Sequence, residues 1–96
     1  MANYKLKEDA KADLHRIWLH GVRQFGEVQA EKYLMAFYER FEQIADDPYF
    51  YASVDYMREG YRKSVCGMES IYYRIQGDTV EIMSIMGRQD TKKLQS

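Results

Sequence analysis

One dipeptide, Phe25-Gly26, constrains this chain more than any other feature. On its N-terminal side Ala10, Leu14, Ile17, Gly21 and Phe25 recur at helical spacing, with Trp18 alongside. On its C-terminal side Ala30, Tyr33, Leu34, Phe37, Phe41 and Ile44 do the same from about Glu27. Gly26 suits the left-handed cap that ends a helix. So short a break between two helices leaves only an antiparallel hairpin. Glu8, Asp9 and Asp13 crowd the start of the first helix, where the dipole favours acid, and that helix is predicted to run to about Gln24. The second ends at Asp46-Asp47-Pro48, because the residue before a proline is pushed out of the α region.

The remainder reads as strands. Asn3–Lys7 alternates Tyr4 and Leu6 with polar neighbours, and residues 61–66, 69–76 and 79–86 follow an aromatic-rich loop from Tyr49 to Met57. Cys66-Gly67 and Gly77-Asp78 supply turns, the second closing a hairpin. The order β-α-α-β-β-β predicts an α+β fold, a helical hairpin packed on one face of a small, mainly antiparallel sheet. With 96 residues and no Gly/Ser/Pro-rich linker, 1–96 is read as one domain.

The last strand raises a packing problem. By strict alternation Val80, Ile82 and Met86 point one way and Met83 and Ile85 the other, so both faces are mostly apolar. A two-helix hairpin covers one face of a sheet. The second is therefore expected to be covered by a partner, unless the first helix and the aromatic loop reach both sides.

Several chemistries are excluded. His15 and His20 are five apart, about 140° around a helix, and make no i,i+4 metal pair. Cys66, the lone cysteine, forms no internal disulfide and has no His or acidic neighbour in sequence to activate it; an inert thiol is expected. The glycines are isolated turn residues, not a phosphate loop, and Asp46-Asp47 is a solvated helix end. No cofactor or metal is expected. No apolar run approaches the roughly 18 residues of a membrane span, and no charged-then-apolar leader precedes Tyr4, so a cytoplasmic location is expected.

Charge is uneven. Residues 1–56 carry seven Lys/Arg against ten Asp/Glu and residues 57–96 seven against five, giving -3 and +2, the stated net of -1. A pI near 6.1 is far below the value above about 9 expected of a domain gripping phosphates with a whole face. Yet MREGYRKSVCGMESIYYRI, residues 57–75, interleaves Arg58, Arg62, Lys63 and Arg74 with Tyr61, Tyr72 and Tyr73. If Ile71, Tyr73 and Ile75 face the core, Tyr72 and Arg74 lie opposite, and Arg62 beside Arg74 would make a cationic strip bordering the second apolar face. The alternative is cross-strand pairing of these arginines with Glu69 or Glu81. As a docking surface, Arg62 and Arg74 would engage acidic side chains while Tyr61 and Tyr72 supply rigid aromatic area.

The order of fragments resembles the ParE toxins of the RelE/ParE superfamily over nearly the whole chain: AKADL at 10–14 with Ile17, FG at 25–26 with Gln29, Ala30 and Tyr33, IADDP at 44–48, REGYRK at 58–63, YYRI at 72–75 and GRQD at 87–90. The resemblance implies a sheet on a helical hairpin, no cofactor and no catalytic residues. It also implies binding to DNA gyrase at its A subunit, and neutralisation by a ParD-like antitoxin whose C-terminal tail would cover the sheet's exposed face. Lys7 departs from the pattern where a capping Ser is usual, and Gly87 where many relatives have Leu-His. Missing that cap costs about 1 kcal/mol of helix stability.

Two other readings stand beside it. A RelE-like ribosome-dependent mRNA endonuclease would need a basic cleft and a Tyr or His near the C-terminus, and neither residue occurs after Tyr73. A protein that binds its antitoxin without toxicity is the other. The residues expected to meet partners are Arg58, Tyr61, Arg62, Tyr72, Arg74, Val80, Ile82, Met86 and, at the start of the polar tail GRQDTKKLQS, Arg88.

Overall fold

The computed structural model describes residues 3–87. Its elements are β1 (Asn3–Leu6), α1 (Glu8–Phe25), α2 (Glu27–Asp46), β2 (Ala52–Ser53), β3 (Tyr61–Cys66), β4 (Glu69–Gln76) and β5 (Thr79–Gly87). The five strands lie in the order β1-β5-β4-β3-β2, with β1 parallel to β5 and the other pairs antiparallel. The α+β architecture, the hairpin and the three long strands match the sequence reading. The two-residue β2, inside the expected aromatic loop, was not predicted; two residues carry no readable period.

The connection between the helices is a single residue. Gly26, at φ 85°, ends α1 by donating its N–H to Val22 O at 2.9 Å, and its carbonyl accepts from Ala30 N at 3.1 Å to start α2. A side chain there would be strained. Lys7 precedes α1 with no side-chain cap bond, and Glu8 and Asp9 in the first turn face the helix dipole instead. Ala10, Leu14 and Ile17 of α1 and Phe37, Phe41 and Ile44 of α2 then pack on Ile71, Tyr73, Val80, Ile82 and Ile85. Tyr73 keeps its polar end satisfied by donating its hydroxyl to Pro48 O at 2.5 Å, which ties the strand to the end of α2. Burial pushes its pKa up to about 12.

The packing problem of β5 is resolved by a bulge. Tyr72 pairs with Ser84 but Tyr73 pairs with Ile82, so Met83 is an extra residue in the strand. That one residue resets the alternation: Val80 at 2% exposure, Ile82 at 0% and Ile85 at 0% all sit in the core with the helices. The expectation that Val80 and Ile82 share a free face with Met86 is therefore wrong. Only Met86, paired with Ser70, remains on the side away from the helices.

Among the described residues no strand lies beside the outer edge of β5 beyond Ile82, since β1 ends at Leu6. There α1 takes over: Ile85 N donates to Asp13 Oδ2 at 2.9 Å and Arg16 donates to Ile85 O at 3.0 Å.

Candidate partner-binding surfaces

The sheet face away from the helices is mixed, its charged residues interleaved with Tyr61, Val65, Tyr72 and Met86. Register places Tyr61, Lys63 and Val65 of β3 beside Arg74, Tyr72 and Ser70 of β4, and Lys5 of β1 beside Glu81 of β5. Glu81 is the hub. Its Oε1 accepts from Arg74 Nε at 2.7 Å, while Lys5 and Lys7 approach Oε2 at 3.3 and 3.9 Å. The Arg74 bond first, and Lys5 after it, hold this carboxyl below the usual range. Cross-strand pairing with Glu81 is thus the fate of Arg74.

Arg62 goes elsewhere. It pairs with Tyr73 on the helix side, and its guanidinium donates to Tyr51 O at 2.6 Å and Tyr49 O at 3.4 Å while lying 5.0 Å from the Tyr49 ring centre. The expected strip of Arg62 with Arg74 does not form, because the two occupy opposite faces. Arg58 lies 5.5 Å from the Tyr61 ring centre, at the margin of the charged face. Tyr72 is only 2% exposed; burial raises its pKa, and Ser70 offsets part of the rise. Arg88 lies outside the described residues.

An apolar recess lies between the helices. A groove of about 430 Å³ is lined by Leu6, Leu14, Trp18, Leu34 and Tyr38, with Lys11, His15 and Glu31 at its rim. Sequence reading missed it, although a signal was present: Trp18 stands beside Ile17, and Leu34 beside Tyr33, so the apolar arc of each helix is wider than one sheet contact requires.

A third surface is the loop between α2 and β3. It is firmly built: Val54 is buried and donates to Tyr61 O, Gly60 donates to Asp55 Oδ1 at 2.8 Å, and Arg62 and Tyr73 hold the backbone as described. The Gly60 bond, with Ser53 adding to it, lowers the Asp55 pKa. A cleft of about 280 Å³ between Tyr49, Asp55, Tyr61 and Arg62 is below the roughly 300 Å³ at which small-molecule pockets begin.

Among the described residues no three His, Cys, Asp or Glu side chains group to hold a metal ion, and no helix is long and apolar enough to cross a membrane. Cys66 is buried, and burial raises its pKa.

A family model described as the ParE toxin of the type II toxin-antitoxin system parDE matches residues 4–91. The chain belongs to the ParE toxin family. It is 34% identical over 86 residues to Toxin ParE1 of Caulobacter vibrioides, covering 90% of this chain and 88% of that one. To Toxin ParE1 of Mycobacterium tuberculosis H37Rv it is 30% identical over 86 residues, 88% of each. Among solved structures, the chromosomal ParDE toxin-antitoxin system from P. aeruginosa shares the fold at a TM-score of 0.79 and 24% identity, covering 91% of this chain and 96% of that one. The toxin-antitoxin complex RelBE2 from M. tuberculosis does so at 0.66 and 22%, covering 91% and 98%. The ParE family thus accounts for the hairpin-on-sheet architecture from Tyr4 onward.

Proposed function

We propose that this ParE-family toxin acts in the cytoplasm by binding, not by catalysis: it engages DNA gyrase at the A subunit and traps the cleaved complex, and a ParD-like antitoxin holds it in check. The observation that carries the antitoxin half is the α1–α2 groove. Leu14, Trp18, Leu34 and Tyr38 form an apolar recess suited to one side of an amphipathic tail. This moves the antitoxin contact from the sheet face, where the sequence reading put it, to the groove between the two helices beside β1.

Binding is favoured over RNA cleavage by the state of the groups on the helix-free face. A general acid or base works best with a pKa near the operating pH. Glu81 is held ionised by three cations, and Tyr72 is pushed further above neutrality by burial. Neither is poised to move a proton at pH 7.

Purified toxin incubated with gyrase, supercoiled DNA and ATP is expected to accumulate DNA breaks linked to gyrase, and to leave mRNA on translating ribosomes intact. A Trp18→Ala/Leu34→Ala variant should retain that activity while losing at least tenfold in affinity for the antitoxin tail. Cleaved mRNA without gyrase-linked breaks would reassign the chain to the nuclease class. Unchanged antitoxin affinity in the variant would remove the groove from the account.

A further inference from the structure

Three large aromatic side chains are displayed on the α2–β3 loop: Tyr49 is 67% exposed, Phe50 75% and Tyr56 80%. They are not the by-product of a floppy segment. Tyr73 holds Pro48, Arg62 holds the carbonyls of Tyr49 and Tyr51, and Phe50 packs edge-on against Tyr51 with ring centres 5.1 Å apart. Rigid aromatic side chains on a fixed backbone are what recognition surfaces use, since little ordering remains to be done on binding.

The surrounding charge selects the occupant. From Asp46 to Arg62 there are four carboxylates, Asp46, Asp47, Asp55 and Glu59, against two guanidiniums, a net of -2. Both guanidiniums are already engaged on rings, Arg62 on Tyr49 and Arg58 on Tyr61. The loop therefore offers exposed π faces among acids, and contains two internal examples of the contact such faces make. Guanidinium fits this chemistry better than ammonium, because it is planar, weakly hydrated, stacks on rings and binds carboxylates in a fork.

The surface is also separate from the groove. The groove borders β1 and the loop encloses β2, at opposite edges of the five-stranded sheet, roughly 19 Å apart at strand spacing. From the exposed rings, the surplus of acid and the rigid backbone, we infer that the 47–60 loop is a second protein-docking surface that takes an arginine-bearing segment of a partner by stacking on Phe50 and Tyr56. It can be occupied while the groove is filled. The inference does not depend on gyrase being the target.

The test uses the full chain, isotope-labelled for amide NMR, titrated with three synthetic peptides: an Arg-Gly repeat, a Lys-Gly repeat and a Glu-Gly repeat of equal length. The Arg-Gly peptide is expected to produce saturable shifts confined to residues 46–62, with at least threefold higher affinity than the Lys-Gly peptide. The Glu-Gly peptide should leave those residues unmoved. Phe50→Ala/Tyr56→Ala should weaken Arg-Gly binding about tenfold, the effect of two exposed ring contacts, with the rest of the amide spectrum unchanged. Tyr56→Phe, which keeps the ring, should bind as the parent does. Equal affinity for the lysine peptide, shifts spread over the acidic faces of the helices, or full binding by the double alanine variant would overturn the proposal. So would a change of oligomeric state on substituting the loop, which would make a second copy of the chain the occupant.

Discussion

The two faces of the sheet are made by the same strands, residue by residue in alternation, yet they are held by different physics. On the helix side Ile71, Tyr73, Val80, Ile82 and Ile85 lose their water to α1 and α2. On the other side Lys5, Lys7 and Arg74 converge on the one carboxylate of Glu81. The first face is stabilised by area removed from water, which is non-directional and large. The second depends on charge geometry and contributes less, because the cost of desolvating the buried Glu81 carboxylate and of ordering three part-exposed cations offsets much of their attraction. The difference teaches where the fold is fragile. Truncation on the helix side removes packing that nothing replaces, whereas change on the charged side alters what the surface attracts.

The comparison breaks most sharply at Phe41, which is fully buried and contacts the rings of Tyr4 and Tyr38. Phe41→Ala is expected to cost about 3–5 kcal/mol, enough to unfold much of a domain this small, as read by denaturant titration. A loss near 1 kcal/mol would mean the hairpin is not a principal source of stability.

A second test addresses how the faces are assigned. Deleting Met83 leaves Val80, Ile82 and Ile85 on the helix side, because the remaining residues then alternate without a bulge. The deletion is expected to give a folded protein destabilised by about 1–3 kcal/mol, the cost lying in the straightened strand and the displaced Ile85 clamp. An unfolded product would show that the bulge stabilises by some means other than face assignment.

The smallest effect concerns the charged face. Glu81 has a folded pKa below its ordinary value of 4.5, so its contribution is present above that value and is lost as pH falls through the folded one. Stability measured from pH 7 downward should therefore decline below about 4.5, and Glu81→Gln should flatten that acid limb while lowering the neutral plateau. An identical acid limb in the variant would shift the source to other carboxylates.

Much of this molecule was legible from periodicity. The helical stripes, the Gly26 break and the glycine turns have local causes, and every element except the two-residue β2 came out within a residue or two. The family pattern was legible as well, in the order of its short fragments. What stayed hidden depends on a register set between strands. The Met83 bulge exists only relative to β4, so strict alternation grouped Met86 with Val80 and Ile82, set Ile85 apart from them, and gave the strand two apolar faces. The direction of Arg62 was hidden for a related reason. Its acceptors are backbone carbonyls of the Tyr49–Tyr51 segment, which any residue type supplies and no sequence pattern marks. The groove was missed because it is formed by two helix flanks together, each of which looks like surplus apolar area by itself.

The clamp of Asp13 and Arg16 on Ile85 has a consequence for how one copy of the chain treats another. A strand that outruns its neighbour presents a template on which a foreign strand can grow, and the residues of β5 past Ile82 are hydrophobic enough to hold one. The template is read through paired N–H and C=O groups. At Ile85 both are already occupied by side chains from α1, so an incoming strand would have to displace a carboxylate and a guanidinium before forming its central pair of bonds. The helix thus acts as a stopper for the sheet, and does so with two polar residues, four and seven positions past Asp9, that flank the buried Leu14.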